Sequence, residues 1–219
     1  MARVQDSVVG RVKPGRMEDH LAMGVEVVKL FDRLGAEHPR LCMAIASGEP
    51  SGTFTFSTEY PSGEAWGEVG DAVNADAEFQ AFIARVSAEN APSEILQFNT
   101  ATEIPLRENN PTLGTIISVH VSRPIPGKFE EGLEQARRAC ELVERAGATN
   151  ARCWQMGYAG MGSGMTMLSF EFADAKTCGR VGDMWNTDSD MVELAMQSRF
   201  GDAITSTPVF DGLYQVVPI

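Results

Sequence analysis

His120 is the side chain in this sequence best able to move a proton. Imidazole titrates near neutral pH, and here it stands in the run Ser118-Val119-His120-Val121-Ser122. Side chains alternate faces along a strand, so His120 shares a face with Ser118 and Ser122 and not with the valines. An imidazole among hydroxyls suits general acid–base work on a bound substrate, or a resting hydrogen bond to a neighbouring serine. Tyr158 is the candidate group for orienting a substrate against it. Arg40, Glu59, Arg152 and Glu171 form a second constellation. Two glutamates are the types needed for a catalytic carboxylate pair, but each faces an arginine across a predicted hairpin. A cross-strand Arg–Glu pair is a structural device. The run Gly157–Gly164 precedes a strand, so it lacks the helix N-terminus that a phosphate-binding loop needs. The sequence has no G-x-S-x-G, no H-E-x-x-H and no acidic metal cluster, so no metal is expected. Cys42, Cys140, Cys153 and Cys178 lack C-x-x-C spacing and are expected to be reduced, buried thiols. His20, beside Glu18 and Asp19, is expected to be exposed.

The elements that must position these residues occur twice. Shifted by 112 residues, the sequence matches itself at 14 of the 42 positions 35–76, without a gap. Gly35-Ala36 falls on Gly147-Ala148, Arg40 on Arg152, Gly52 on Gly164, Ser57 on Ser169, Glu59 on Glu171, and Asp76 on Asp188. This predicts an internal duplication: repeat 1 over 1–106, a polar, proline-containing linker over 107–114, and repeat 2 over 115–219. Each copy reads as strand, helix, strand, strand, helix, strand. First strands are expected at Val4–Val12 and Thr115–Arg123, first helices at Met17–Leu34 and Lys128–Ala146. Hairpins are expected over Arg40–Ser47 with Thr53–Tyr60 and over Arg152–Ala159 with Met165–Phe172. A second helical region breaks near Asn74 and Asn186, where Asp76 and Asp188 can cap a further short helix. Last strands fall at Ile95–Ile104 and Val209–Val217.

This order is the ferredoxin-like split βαβ arrangement, so the fold class is α+β with antiparallel sheets. With the motif P-G-[RK]-x-E (Pro14 to Glu18, Pro126 to Glu130) and the stretch AWGEVGDAVNADAEFQAF over 65–82, the chain resembles the dimeric α+β barrel superfamily. That group includes antibiotic-biosynthesis monooxygenase-like, NIPSNAP-like and stress-responsive barrel proteins. The resemblance implies an intramolecular α+β barrel, one chain supplying both of the halves that two chains supply in most members. It allows a cofactor-independent monooxygenase, isomerase or cyclase. Because some relatives bind haem, it also allows haem on His120, although no haem motif is present; otherwise no cofactor is expected.

Hairpin arithmetic assigns the faces. A turn between Glu49 and Pro50 sets Arg40 opposite Glu59 and Cys42 opposite Ser57. The small, polar face (Arg40, Cys42, Ala44, Thr55, Ser57) is expected to look into the space between the sheets, and the bulky face (Leu41, Met43, Phe54, Phe56) onto the helices. In the second copy the inner face is Arg152, opposite Glu171, then Trp154, Met156, Tyr158, Met165, Met167 and Ser169. His120 is expected to join it. The two inner faces differ in size, so large residues either fill the room left by small ones or leave an apolar pocket with a few polar groups. Trp154, Met156, Met165, Met167 and Ser169 are therefore the candidate ligand contacts.

A net charge of −12 and a pI near 4.7 disfavour nucleic acid. No apolar run spans a bilayer or forms a signal peptide, so the expected setting is cytoplasmic. The leading expectation is a protein that binds a small hydrophobic or aromatic molecule between its sheets. The alternatives are the enzyme reading above and a non-catalytic structural or assembly protein. A homo-oligomer is compatible with either.

Overall fold

The computed structural model describes residues 2–200 and 203–219. The first half runs β1 (Val4–Val12), α1 (Met17–Arg33), β2 (Glu37–Ala46), β3 (Thr53–Tyr60), α2 (Gly63–Ala75), α3 (Ala77–Val86) and β4 (Ser93–Ile104). The second runs β5 (Ile116–Pro124), α4 (Phe129–Arg145), β6 (Thr149–Tyr158), β7 (Thr166–Phe172), α5 (Ala175–Thr187), α6 (Ser189–Arg199) and β8 (Ser206–Val216). The second helical region splits where the sequence indicates. Asp76 caps α3 by accepting from the Phe79 N–H at 2.8 Å, and Asp188 caps α6 by accepting from the Met191 N–H at 3.1 Å.

Backbone geometry recurs at the spacing of the side chains. Gly35 and Gly147 end α1 and α4 with φ of +94° and +111°, which glycine adopts without a Cβ penalty. His38 and Asn150 take φ of +50° and +48° near the starts of β2 and β6. Both lie where the pairing of these strands with β3 and β7 shifts register.

The strands close into one antiparallel barrel in the order β1-β3-β2-β8-β5-β7-β6-β4. Within each half the order is that of a ferredoxin-like sheet, and the halves are stitched by two seams, β2 with β8 and β4 with β6. The helices lie outside. Leu41, Phe54 and Phe56 pack with Leu21, Val28 and Phe31 of α1. In the second half Phe170 and Phe172 pack with Cys140, Val143, Met191 and Leu194.

The register corrects the hairpin arithmetic. Arg40 stands opposite Ser57, not Glu59, and Arg152 opposite Ser169, not Glu171. Cys42 stands opposite Thr55. The bulges at His38 and Asn150 absorb the extra residues. A slip of two residues leaves side chains on their faces, so Arg40, Cys42, Thr55 and Ser57 look into the barrel and Leu41, Phe54 and Phe56 onto the helices.

Candidate functional site

The barrel interior contains a cavity of about 930 Å³. Met156, Met165 and Met167 line one side and Cys42, Thr55 and Val9 the other, with Ser57, Ser169 and Asn99 as polar points. Four of the five candidate ligand residues stand on this wall: Met156, Met165, Met167 and Ser169. Trp154 is on the same face but fully buried, packed against residues of this wall. It has no solvent exposure, its ring lies 4.6 Å beneath the Arg152 guanidinium, and its indole N–H donates to the Ser169 hydroxyl at 3.1 Å. Burial pushes the Cys42 thiol up to about 12, so it stays a neutral wall atom.

Arginines and glutamates bound the cavity at one end, in a crossed arrangement. Arg152 donates to both carboxylate oxygens of Glu59, at 2.7 and 2.5 Å, and Arg40 to both of Glu171, at 2.9 and 3.0 Å. Each arginine thus reaches across the lumen to the other half of the chain, where the sequence reading had each pair within one hairpin. Two things redirect them. The bulges set each arginine opposite a serine, and the barrel places the far carboxylate within reach. Glu171 also accepts from the Asn150 side chain and the Gly114 N–H, both at 2.7 Å. Burial alone would raise the Glu59 carboxyl; the Arg152 hydrogen bonds and the charges of Arg152, Arg40 and Arg3 outweigh it and hold it below its ordinary value.

The two candidate catalytic residues lie elsewhere. The lumen face of β5 is Ile117, Val119 and Val121. His120 points the other way, onto the helix layer, and lines a second cavity of about 650 Å³ between the barrel wall and α4 and α6. Polarity is a poor guide to the lumen here, because this stretch of the outer face borders an open cavity instead of a packed helix. His120 Nδ1 lies 2.6 Å from Asp211 Oδ1 and Nε2 lies 2.8 Å from the Ser118 hydroxyl. Tyr158 is 79% exposed and lines neither cavity. Met156 stands opposite Ala101 and Tyr158 opposite Thr100, so Gly157 is an extra residue that breaks the alternation. The sequence reading missed Asp211, Gln97, Asn99 and Tyr214; alternation along β4 and β8 was the available signal.

Haem ligation through histidine needs an uncommitted ring nitrogen. In the resting structure Asp211 engages Nδ1 of His120 and the Ser118 hydroxyl engages Nε2, so iron bound at His120 would have to displace Ser118. Among the described residues no cluster of His, Cys, Asp or Glu has metal-binding geometry, and no helix is long and apolar enough to cross a membrane.

No family model and no curated protein matches this sequence. Solved structures do match its fold. A presumed monooxygenase from Fusobacterium nucleatum aligns at a TM-score of 0.60 and 12% identity, over 98% of this chain and 92% of that one. An anthrone oxidase-like protein aligns at 0.60 and 14% identity, over 99% and 91%. A chlorite dismutase mutant from Candidatus Nitrospira defluvii aligns at 0.57 and 7%, also over 99% and 91%. The fold is therefore the α+β barrel seen in monooxygenase-like and chlorite dismutase-like proteins. Identities this low establish architecture and leave activity to the site.

Proposed function

We propose that the barrel lumen is a binding site for a small, largely apolar or aromatic molecule. The observation that carries this reading is the lumen cavity of about 930 Å³ between a methionine wall and a wall of small residues. Its size falls in the range of small-molecule pockets, and its lining has their usual make-up of apolar surface with a few convergent polar groups. Methionine side chains adapt to irregular aromatic outlines. Ser57, Ser169 and Asn99 supply hydrogen bonds that orient a ligand. The equal spacing of side chains and unusual backbone angles supports descent of 1–106 and 115–219 from one duplicated unit, joined by 107–114. The pseudo-symmetric scaffold then carries one asymmetric site.

The test is titration with 8-anilinonaphthalene-1-sulfonate followed by fluorescence. The expected result is saturable binding that Met167→Trp and, from the opposite wall, Thr55→Phe each weaken at least tenfold while circular dichroism stays native. Binding unchanged in both folded variants overturns the reading.

A second reading, an oxygenase, isomerase or cyclase, is supported by the folds of the presumed monooxygenase and the anthrone oxidase-like protein. In that reading the exposed Tyr158 has no part, and His120 acts from the helix-side cavity.

A further inference from the structure

The helix-facing side of the barrel differs between the repeats as sharply as the lumen does. In repeat 1, Val8 of β1 stands opposite Phe98 of β4. In repeat 2 the equivalent pair is His120 opposite Asp211. Above Val8 the space toward α1 is occupied by two rings tilted against each other, those of His20 and Phe54, with centroids 4.3 Å apart. The positions 112 residues on are Gly132 and Thr166. An apolar pair has thus become an acid–base pair, and two rings have become a hydrogen atom and a short hydroxyl side chain. Where repeat 1 is filled, repeat 2 holds the cavity of about 650 Å³, walled by Leu133, Leu168, Phe170 and Leu194 with His120 at its edge.

The hydrogen bonds define the state of the imidazole. The Asp211 carboxylate only accepts, so Nδ1 carries a hydrogen, and in the neutral ring Nε2 presents its lone pair. The Ser118 hydroxyl donates to that lone pair in the resting site. It can yield its place by rotation about one side-chain bond. The imidazole edge is accessible, its side chain being 42% exposed, and the Phe170 ring lies 5.3 Å from it. The other titratable side chains on this cavity wall, among the described residues, are Lys128 at the start of α4 and Cys153 on β6. Burial holds the Cys153 thiol up near 12, so it stays neutral, and the Lys128 ammonium favours an anion.

We propose that this helix-side cavity is a second ligand site, at which the His120–Asp211 pair takes the proton of a weakly acidic aromatic hydroxyl or enol. The O–H bond of the ligand breaks, its electron pair stays on oxygen, and an N–H bond forms at Nε2. Asp211 stabilises the resulting imidazolium, and the ring of the ligand lies against Phe170 and Leu168. Asp211 is a positioning residue, since it acts through the imidazole.

The probe is 4-nitrophenol at pH 6, where the free phenol is mostly protonated and its phenolate is read by visible absorbance. The expected result is a saturable phenolate band on the native protein, at least fivefold above free probe. It disappears in His120→Gln, falls markedly in Asp211→Asn, and disappears in Gly132→Phe, which fills the cavity without touching the pair. It survives in Met167→Trp, which closes the lumen, so this proposal and the lumen reading fail separately. No band above free probe overturns the proposal. So does a band that persists in folded His120→Gln, or one that vanishes on closing the lumen while surviving Gly132→Phe.

Discussion

Arg152 grips both oxygens of Glu59 from the opposite half of the chain, at 2.7 and 2.5 Å, with side-chain exposures of 6% and 2%. The pair ties β6 to β3 through the barrel interior, and the Trp154 ring lies beneath the same guanidinium. Removing one member strands a buried charge. Glu59→Gln is therefore expected to cost about 3 to 5 kcal/mol, measured by urea denaturation, while the double change Glu59→Leu with Arg152→Met recovers most of that loss. The carboxyl is held below its ordinary value in the folded protein. Its contribution is thus complete above about pH 4.3 and lost as pH falls through the lowered folded value. The stability difference between native protein and Glu59→Gln should shrink below pH 4.

His20 supplies a second, separate pH response. It is buried in α1 against Phe54, Nε2 has no hydrogen-bond partner, and burial lowers its pKa to about 4. The unfolded chain binds a proton near pH 6.5 and the folded chain does not until about 4, so stability falls as pH drops across that window. His20→Phe should flatten this slope, by about 1 to 2 kcal/mol between pH 7 and pH 4.5. A slope unchanged by the substitution assigns the response to another group.

His20 also marks where the sequence was hard to read. Its acidic neighbours suggested exposure, but the packing of α1 on Phe54 decides its place. Element order was legible, because the capping residues, turn glycines and apolar stripes occur twice. Hairpin faces were legible from the contrast between Phe54 or Phe56 and Thr55 or Ser57. Register was not. His38 lies in a left-handed conformation with no glycine to announce it, and Asn150 is a type that tolerates that region without requiring it. His120 was placed on the wrong side because a polar face was equated with the lumen. Tyr158 left the wall because one unpaired glycine reversed the parity of its strand end.

Gly114 joins the linker to the ion-pair network. Its N–H donates to Glu171 at 2.7 Å, and a Cβ there would collide with the Phe172 carbonyl oxygen. The obstacle is backbone, so it cannot rotate away. Gly114→Ala is expected to lower stability by about 2 kcal/mol or more, read as a drop in the urea midpoint. Gly127→Ala, which meets nothing within 4 Å but carries a φ of +81°, should cost only about 1 kcal/mol.

The two halves of the chain offer a cycle that tests why the helix-side cavity exists. In the first half, Phe54 fills the space beside Gly10, and a Cβ on Gly10 would meet the Phe54 ring at 2.5 Å. The residues 112 positions on are Thr166 and Ser122, whose hydroxyls lie 3.1 Å apart. A phenylalanine at 166 alone collides with the Ser122 side chain; with glycine at 122 it has the room that Phe54 has. Thr166→Phe should therefore destabilise. Ser122→Gly should cost about 1 kcal/mol through lost strand packing. The double variant should be more stable than the sum of the two by about 1 to 3 kcal/mol, since neighbours in contact do not add. If the double variant also gains stability over the native chain, the cavity is a cost that function maintains. A strictly additive cycle would show that the second half does not share the packing geometry of the first.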